Sequence, residues 1–268
     1  MLTQYNLKMP HAVYGGENAM DNITAIIKAR GAKKVAMFTD KGIEGAGLFA
    51  LPEEAVKASG KVFTISYPHR TFPTLRAVKA LMDSGKLGRV TYARVRNVHN
   101  GSSANWLPPH FYDKAQCGGG AMIDLGSHPM YTLYWLLGEP KSITSTFTQV
   151  TNRGVEDNAV SVIEFADGKI GVSETGFVSE CNPYTLEVSG TDGAVMVHGD
   201  SVQWGGKATE GKWVDLELPE KDPLPIDQWI DAVVNGKPSP FTIDEAVMLT
   251  RLMDGAYKAF ETGAKATF

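Results

Sequence analysis

Cysteine is almost absent. Cys117 and Cys181 are the only two in 268 residues, which excludes a disulfide framework and offers no paired thiolates for a metal. A reduced cytoplasm is the expected location. No apolar run approaches the roughly 18 residues of a membrane span. The first residues, MLTQYNLKMPHAV, lack a charged stretch followed by an apolar one, so no secretory leader is expected. A net charge of −4 leaves no basic surplus and argues against nucleic acid as a partner. A serine hydrolase is also excluded. There is no G-x-S-x-G elbow, and Ser127 cannot be aimed at the adjacent His128 from a helix.

What is there reads as an α/β start followed by an α+β body. GENAMDNITAIIKARG sets Met20, Ile23, Ile26 and Ile27 on one helical face, KKVAMFTD reads as a short buried strand, and KVFTISY reads as another. From Pro73 the pattern changes. PTLRAVKALMDSG is an amphipathic helix with Leu75, Val78, Ala80, Leu81 and Met82 inward, and RVTYARVRNVHNG alternates like a long strand with one wet face. Five further strand segments follow, between residues 142 and 206, separated by turns such as Ala166-Asp167-Gly168 and Thr191-Asp192-Gly193. Two helices, PIDQWIDAVVNG and TIDEAVMLTRLMDGAYKAFETG, close the chain. The expected domains are residues 1–72 and 73–268.

Between the long strand and the later ones stands AMIDLGSHPMYTLYWLLG, residues 121–138. It puts Asp124 and His128 four residues apart at the head of an apolar stretch. Pro129 has no N–H to return to Leu125, so an unbroken helix is not expected. An imidazole with an ordinary pKa near 6.5 can move a proton at neutral pH.

Residues 51–268 resemble the later part of a sugar oxidoreductase of the glucose–fructose oxidoreductase/inositol dehydrogenase (Gfo/Idh/MocA) family. SGKVFTISYPHR, AVKALMDSGKLGRV, CGGGAMIDLGSHPMYTLYWLLGEP, VEDNAVSVIEFADGKIGV and SPFTIDEAVMLTRLMDGAYKAFETGAKATF carry the likeness in register. The resemblance implies that His128 is the proton-transfer group and that Asp124 holds it or binds substrate hydroxyls beside a nicotinamide. Many members carry an Asp three residues after the His, where this sequence has Tyr131. Arg96, His99, Trp106, His110 and Tyr131 are the expected substrate contacts, and Lys86 and Arg94 could help hold an acidic sugar. Tyr67, Phe111 and Tyr112 could stack on a sugar ring. The family's sheets pair face to face, so a homo-oligomer through the C-terminal sheet is expected.

The family's first half begins with a G-x-G-x-x-G turn and supplies a Glu-Lys-Pro segment, and neither occurs here. Residues 1–50 resemble instead the start of an iron-containing alcohol dehydrogenase, in which Asp40 would touch the adenosine ribose. The chain thus reads as a fusion: a truncated Rossmann-like remnant packed on an open, mostly antiparallel sheet with helices on one face. NAD(P) is the cofactor that the resemblance implies, and the missing phosphate turn argues against normal use of it. Two other readings stand beside the oxidoreductase. Asp124, His128, His69 and His99 could hold a divalent ion such as zinc and make the vacated pocket an ester or phosphoester hydrolase. Alternatively, the protein only binds its ligand.

Overall fold

The computed structural model describes residues 62–181 and 184–268, together with the single residue Ala29. Asp40 and the helix and strand expected before residue 61 lie outside the described residues. The strand expected at KVFTISY does not form over residues 62–67. Two of its carbonyls are taken by side chains: Trp229 Nε1–H donates to Val62 O at 3.1 Å and Ser239 Oγ–H to Phe63 O at 3.1 Å. Pro68 then opens a 3-10 turn, Pro68–Thr71.

Helix α1, Pro73–Asp83, starts on a proline whose missing N–H costs nothing there. It buries Leu75, Ala77, Val78 and Leu81. Ala80, expected inward, is exposed. At 100° per residue it stands about 200° from Val78, so one face cannot hold both.

Strand β1, Val90–Val98, runs up the middle of the sheet. After a loop and the short helices α2, Lys114–Cys117, and α3, Ala121–Asp124, comes α4, Ser127–Leu137. The strands β2 (Pro140–Thr148), β3 (Asn158–Phe165), β4 (Ile170–Gly176), β5 (Thr185–Gly190), β6 (Gly193–His198), β7 (Ser201–Gly206) and β8 (Val214–Asp215) follow. Helices α5, Pro225–Asn235, and α6, Ile243–Thr262, precede the last strand, β9, Ala266–Thr267. A capping box fixes the start of α6, with Thr242 Oγ1 accepting from Glu245 N–H and Glu245 Oε2 from Thr242 N–H.

The strand order is β8-β7-β6-β5-β1-β4-β3-β2-β9. β1 and β4 are parallel and the other described pairs antiparallel. Both edge strands are two residues long, which leaves little ladder for a stray strand. α4 lies over β1 and β4, and α6 over β2. Ala93, Val95, Leu133, Ile143, Ile163 and Val188 fill the layer between, each at most 1% exposed. The other face is open, and Val160, Val162, Ile170 and Met196 stand on it exposed. The open, mostly antiparallel sheet with helices on one face is thus as expected from residue 73 onward.

Candidate functional site

The residues 121–138 form two helices rather than one. Glycine 126 allows the first to run close under the second, since a Cβ there would strike the Met122 carbonyl oxygen. Pro129 leaves the Leu125 carbonyl without its helical donor. His128 N–H takes it at 3.1 Å, and the Asn97 side chain reaches it from the end of β1 at 3.4 Å. Ser127 Oγ–H satisfies the Asp124 carbonyl at 3.0 Å. Asp124 therefore ends one helix and His128 begins the next.

A buried acid anchors this pair of helices. Glu156, 8% exposed, accepts through Oε1 from Gly120 N–H at 2.8 Å, Met122 N–H at 3.1 Å and the Tyr257 hydroxyl at 2.5 Å. Its own carbonyl accepts from Ala121 N–H at 2.8 Å. Nothing larger than glycine fits at 120, because a Cβ would meet that carbonyl oxygen. Beside it, Asp157 accepts from Val150 N–H, Thr151 N–H and the Thr151 hydroxyl, all at 2.7 Å. Glu156, Asp157 and Tyr257 escaped the reading of the sequence. The available signal was two adjacent acids just before a strand, together with three glycines whose exposed N–H groups needed an acceptor.

Two aromatic clusters flank this junction, one at His128 and one at His99, the latter within the electrostatic reach of Asp124. In the inner one, the His128 ring lies against His69, with centroids 4.3 Å apart and planes at 22°. His128 Nδ1 is 3.0 Å from the Tyr131 hydroxyl. That hydroxyl also accepts the His69 backbone N–H at 3.2 Å, and the Tyr131 ring stacks on Tyr67 at 4.2 Å. Tyr184 closes the cluster edge-on to His69 at 5.0 Å. Burial, and then the charge that His128 can carry, push His69 down to about 3, so it stays neutral. Burial likewise pushes the Tyr131 and Tyr184 hydroxyls well above their ordinary range.

In the outer cluster His99 stacks flat on Phe177 at 4.9 Å, with Trp106 tilted against it at 4.7 Å. His99 Nδ1 accepts from Gly101 N–H at 3.0 Å. Burial lowers the basicity of His99, and the Asp124 carboxylate partly restores it. Trp106, 55% exposed, donates Nε1–H to Asn100 Oδ1 at 2.9 Å and roofs the edge of the site.

The structure thus brings together Asp124, His128, His69, Tyr131, His99 and Trp106 from the expected set. It separates four others. Arg96 alternates with the buried Val95 and projects from the opposite sheet face, where it pairs with Glu174 at 3.5 Å and donates to Ser179 Oγ at 3.2 Å. Arg94 shares that face and Glu174, bonding Oε1 at 2.7 Å and Oε2 at 2.9 Å. Lys86 sits over the Trp204 ring at 5.6 Å. His110 is exposed on a 3-10 turn, Pro109–Tyr112, with its ring against Phe111 at 4.8 Å.

The metal reading fails on geometry. Among the described residues no three His, Cys, Asp or Glu side chains gather as ligands for an ion. His69 meets His128 face to face, which leaves their nitrogen lone pairs side by side rather than convergent. Nor is any helix among the described residues long and apolar enough to cross a membrane.

Comparison with known proteins shows what this chain is similar to. Residues 75–196 match the GFO/IDH/MocA C-terminal domain. The chain is 26% identical over 149 residues to 1,5-anhydro-D-fructose reductase of Ensifer adhaerens, covering 53% of this chain and 43% of that protein. It is 27% identical over 154 residues to scyllo-inositol 2-dehydrogenase (NAD(+)) of Bacillus subtilis (strain 168), covering 54% and 42%. Among solved structures, that of GenD2 from gentamicin A biosynthesis in complex with NAD superposes with a TM-score of 0.70 at 27% identity, covering 93% of this chain and 75% of that one. The chain spans less than half the length of the curated relatives it matches. Together these matches support the Gfo/Idh/MocA family and a sugar-oxidoreductase origin. They lend no support to a hydrolase, to a zinc site or to a fusion with an iron-containing alcohol dehydrogenase.

Proposed function

We propose that the chain is a sugar or polyol oxidoreductase that works with a nicotinamide cofactor, with His128 at the reacting oxygen and Asp124 and His99 beside it. One observation carries this reading. Within the segment that matches the family domain, the helix break brings Asp124, His128, Asn97 and His99 to one end of the helix-covered sheet face.

The cofactor would supply or accept the hydride. The described residues do not grip its diphosphate: the N–H groups of Gly120 and Met122, at the glycine run 118–120, are filled by Glu156. That contact would have to come from outside the described residues. What this chain's own side chains supply is the handling of the oxygen. His128 is set against a wall of neutral rings that excludes water from its inner side, and Asp124 and His99 offer an acceptor and a polar edge for sugar hydroxyls.

The test is turnover of a panel of sugars, oxo-sugars and polyols, followed through the reduced nicotinamide. His128→Gln should lower kcat by about 10²- to 10⁴-fold, the usual worth of a positioned proton-transfer group, with the melting temperature nearly unchanged. Calorimetry that finds no NAD(H) or NADP(H) binding at millimolar cofactor would sink the reading.

We also infer a homo-oligomer through the open sheet face. The exposed Val160, Val162, Ile170 and Met196 give that face an apolar centre that a second copy of the chain would cover. Light scattering should show more than one chain per particle, and Val162→Glu should reduce it to one.

A further inference from the structure

The Tyr131 hydroxyl has one proton and two lone pairs. A backbone N–H can only donate, so His69 N–H occupies one lone pair. The other polar neighbour of this hydroxyl, among the described residues, is His128 Nδ1. Burial keeps the phenol protonated, and its proton has one acceptor in reach, Nδ1. The reverse arrangement would have Nδ1–H donate to the phenol oxygen. The phenol proton of the buried Tyr131 would then have no acceptor among the described residues. An unmade buried hydrogen bond biases the balance by about tenfold or more.

We propose that Tyr131 is a positioning residue that fixes neutral His128 as the tautomer protonated on Nε2. Whatever hydrogen-bonds Nε2 must then bring an acceptor, and a carbonyl oxygen is one that suits it. A carboxylate three residues after the histidine would do the opposite. It can only accept, so it would draw the proton to Nδ1 and leave Nε2 a free lone pair able to take a proton from a hydroxyl. The choice of substrate oxygen rests on the oxidoreductase reading above, whereas the tautomer does not. Among the described residues the groups around His128 are His69, stacked on the ring, Tyr131 at Nδ1, and Asp124, one helical turn earlier.

The experiment is long-range ¹H–¹⁵N NMR of the full chain, with neither cofactor nor substrate, at a pH above the ordinary histidine value of about 6.5. The His128 signals are assigned by their loss in His128→Gln. The expected spectrum shows Nδ1 unprotonated and Nε2 protonated. In Tyr131→Phe, which keeps the ring stack on Tyr67, that preference should fall by about tenfold. In Tyr131→Asp it should invert. A wild-type spectrum with Nδ1 protonated, alone or together with Nε2, overturns the proposal, as does an unchanged tautomer in Tyr131→Phe. Because no turnover is read, failure here is distinct from failure of the oxidoreductase reading, and the wild-type spectrum decides even if the variants fold poorly.

Discussion

Arg96 and Asn97 are neighbours in the chain but belong to opposite faces of the same strand. From one face Arg94 and Arg96 reach Glu174 near solvent. From the other Asn97 reaches the Leu125 carbonyl, and His99 follows it toward Asp124. The open face holds its charges in water, where pairing contributes little. The covered face holds its polar groups among rings and helix ends, where each must find a partner or change its protonation. Chemistry can be tuned on the covered face because the surroundings are dry and fixed.

The sharpest way to break this contrast is to remove the anchor of the covered face. Glu156→Ala should cost about 3 to 5 kcal/mol in denaturant melts, because two helix N–H groups and the Tyr257 hydroxyl lose their acceptor in a buried place. Glu156→Gln should cost less, since its amide oxygen can keep part of the set. A loss below about 1 kcal/mol for the alanine variant would mean that the helix pair is held elsewhere.

A second effect is read through pH. His69 titrates near 6.5 when unfolded and at about 3 when folded, so between these values the unfolded chain binds the extra proton. Stability from this residue is therefore complete above about pH 6.5 and is lost as pH falls toward 3. Between about pH 6.5 and 4.5 the loss should be roughly 2 kcal/mol, measured by melts across that range. His69→Phe retains a ring against His128 and removes the titration, so its melts should be flatter over the same interval.

The smallest effects belong to the open face. Arg94→Ala should change stability by about 0.2 to 1 kcal/mol, and less in high salt. Arg96→Ala should leave turnover within about twofold of the parent, because its contacts with Glu174 and Ser179 lie on the open face. A large loss of turnover in Arg96→Ala would return that residue to the substrate site and collapse the distinction between the faces.

Much of this was legible in order of appearance along the chain. The alternation of β1 marked a strand with one wet face, and TIDEAVMLTRLMDGAYKAFETG stood out as a closing helix. Pro129 announced the helix break. Other features were hidden. Nothing local says that Arg96 faces away while Asn97 faces in, because alternation gives two faces without saying which one the helices will cover. The role of Glu156 was invisible for a related reason: its partners Gly120 and Met122 are 36 and 34 residues away. His110, placed in the site by its neighbourhood in the chain, lies exposed on a turn. KVFTISY has the composition of a strand, yet side chains from residues 229 and 239 claim two of its carbonyls.

By itself the sequence determined most of the strands and helices from residue 73 onward, and that Asp124 and His128 head an apolar helix interrupted at a proline. Periodicity and missing N–H groups act within a few residues, so they can be read without a fold. Only the tertiary structure decided what His128 touches. His69 and Tyr131 are 62 residues apart, and packing of the Pro68–Thr71 turn on α4 brings them to one ring. A proton's place on that ring depends on donors and acceptors that packing supplies, and spacing along the chain carries no record of it.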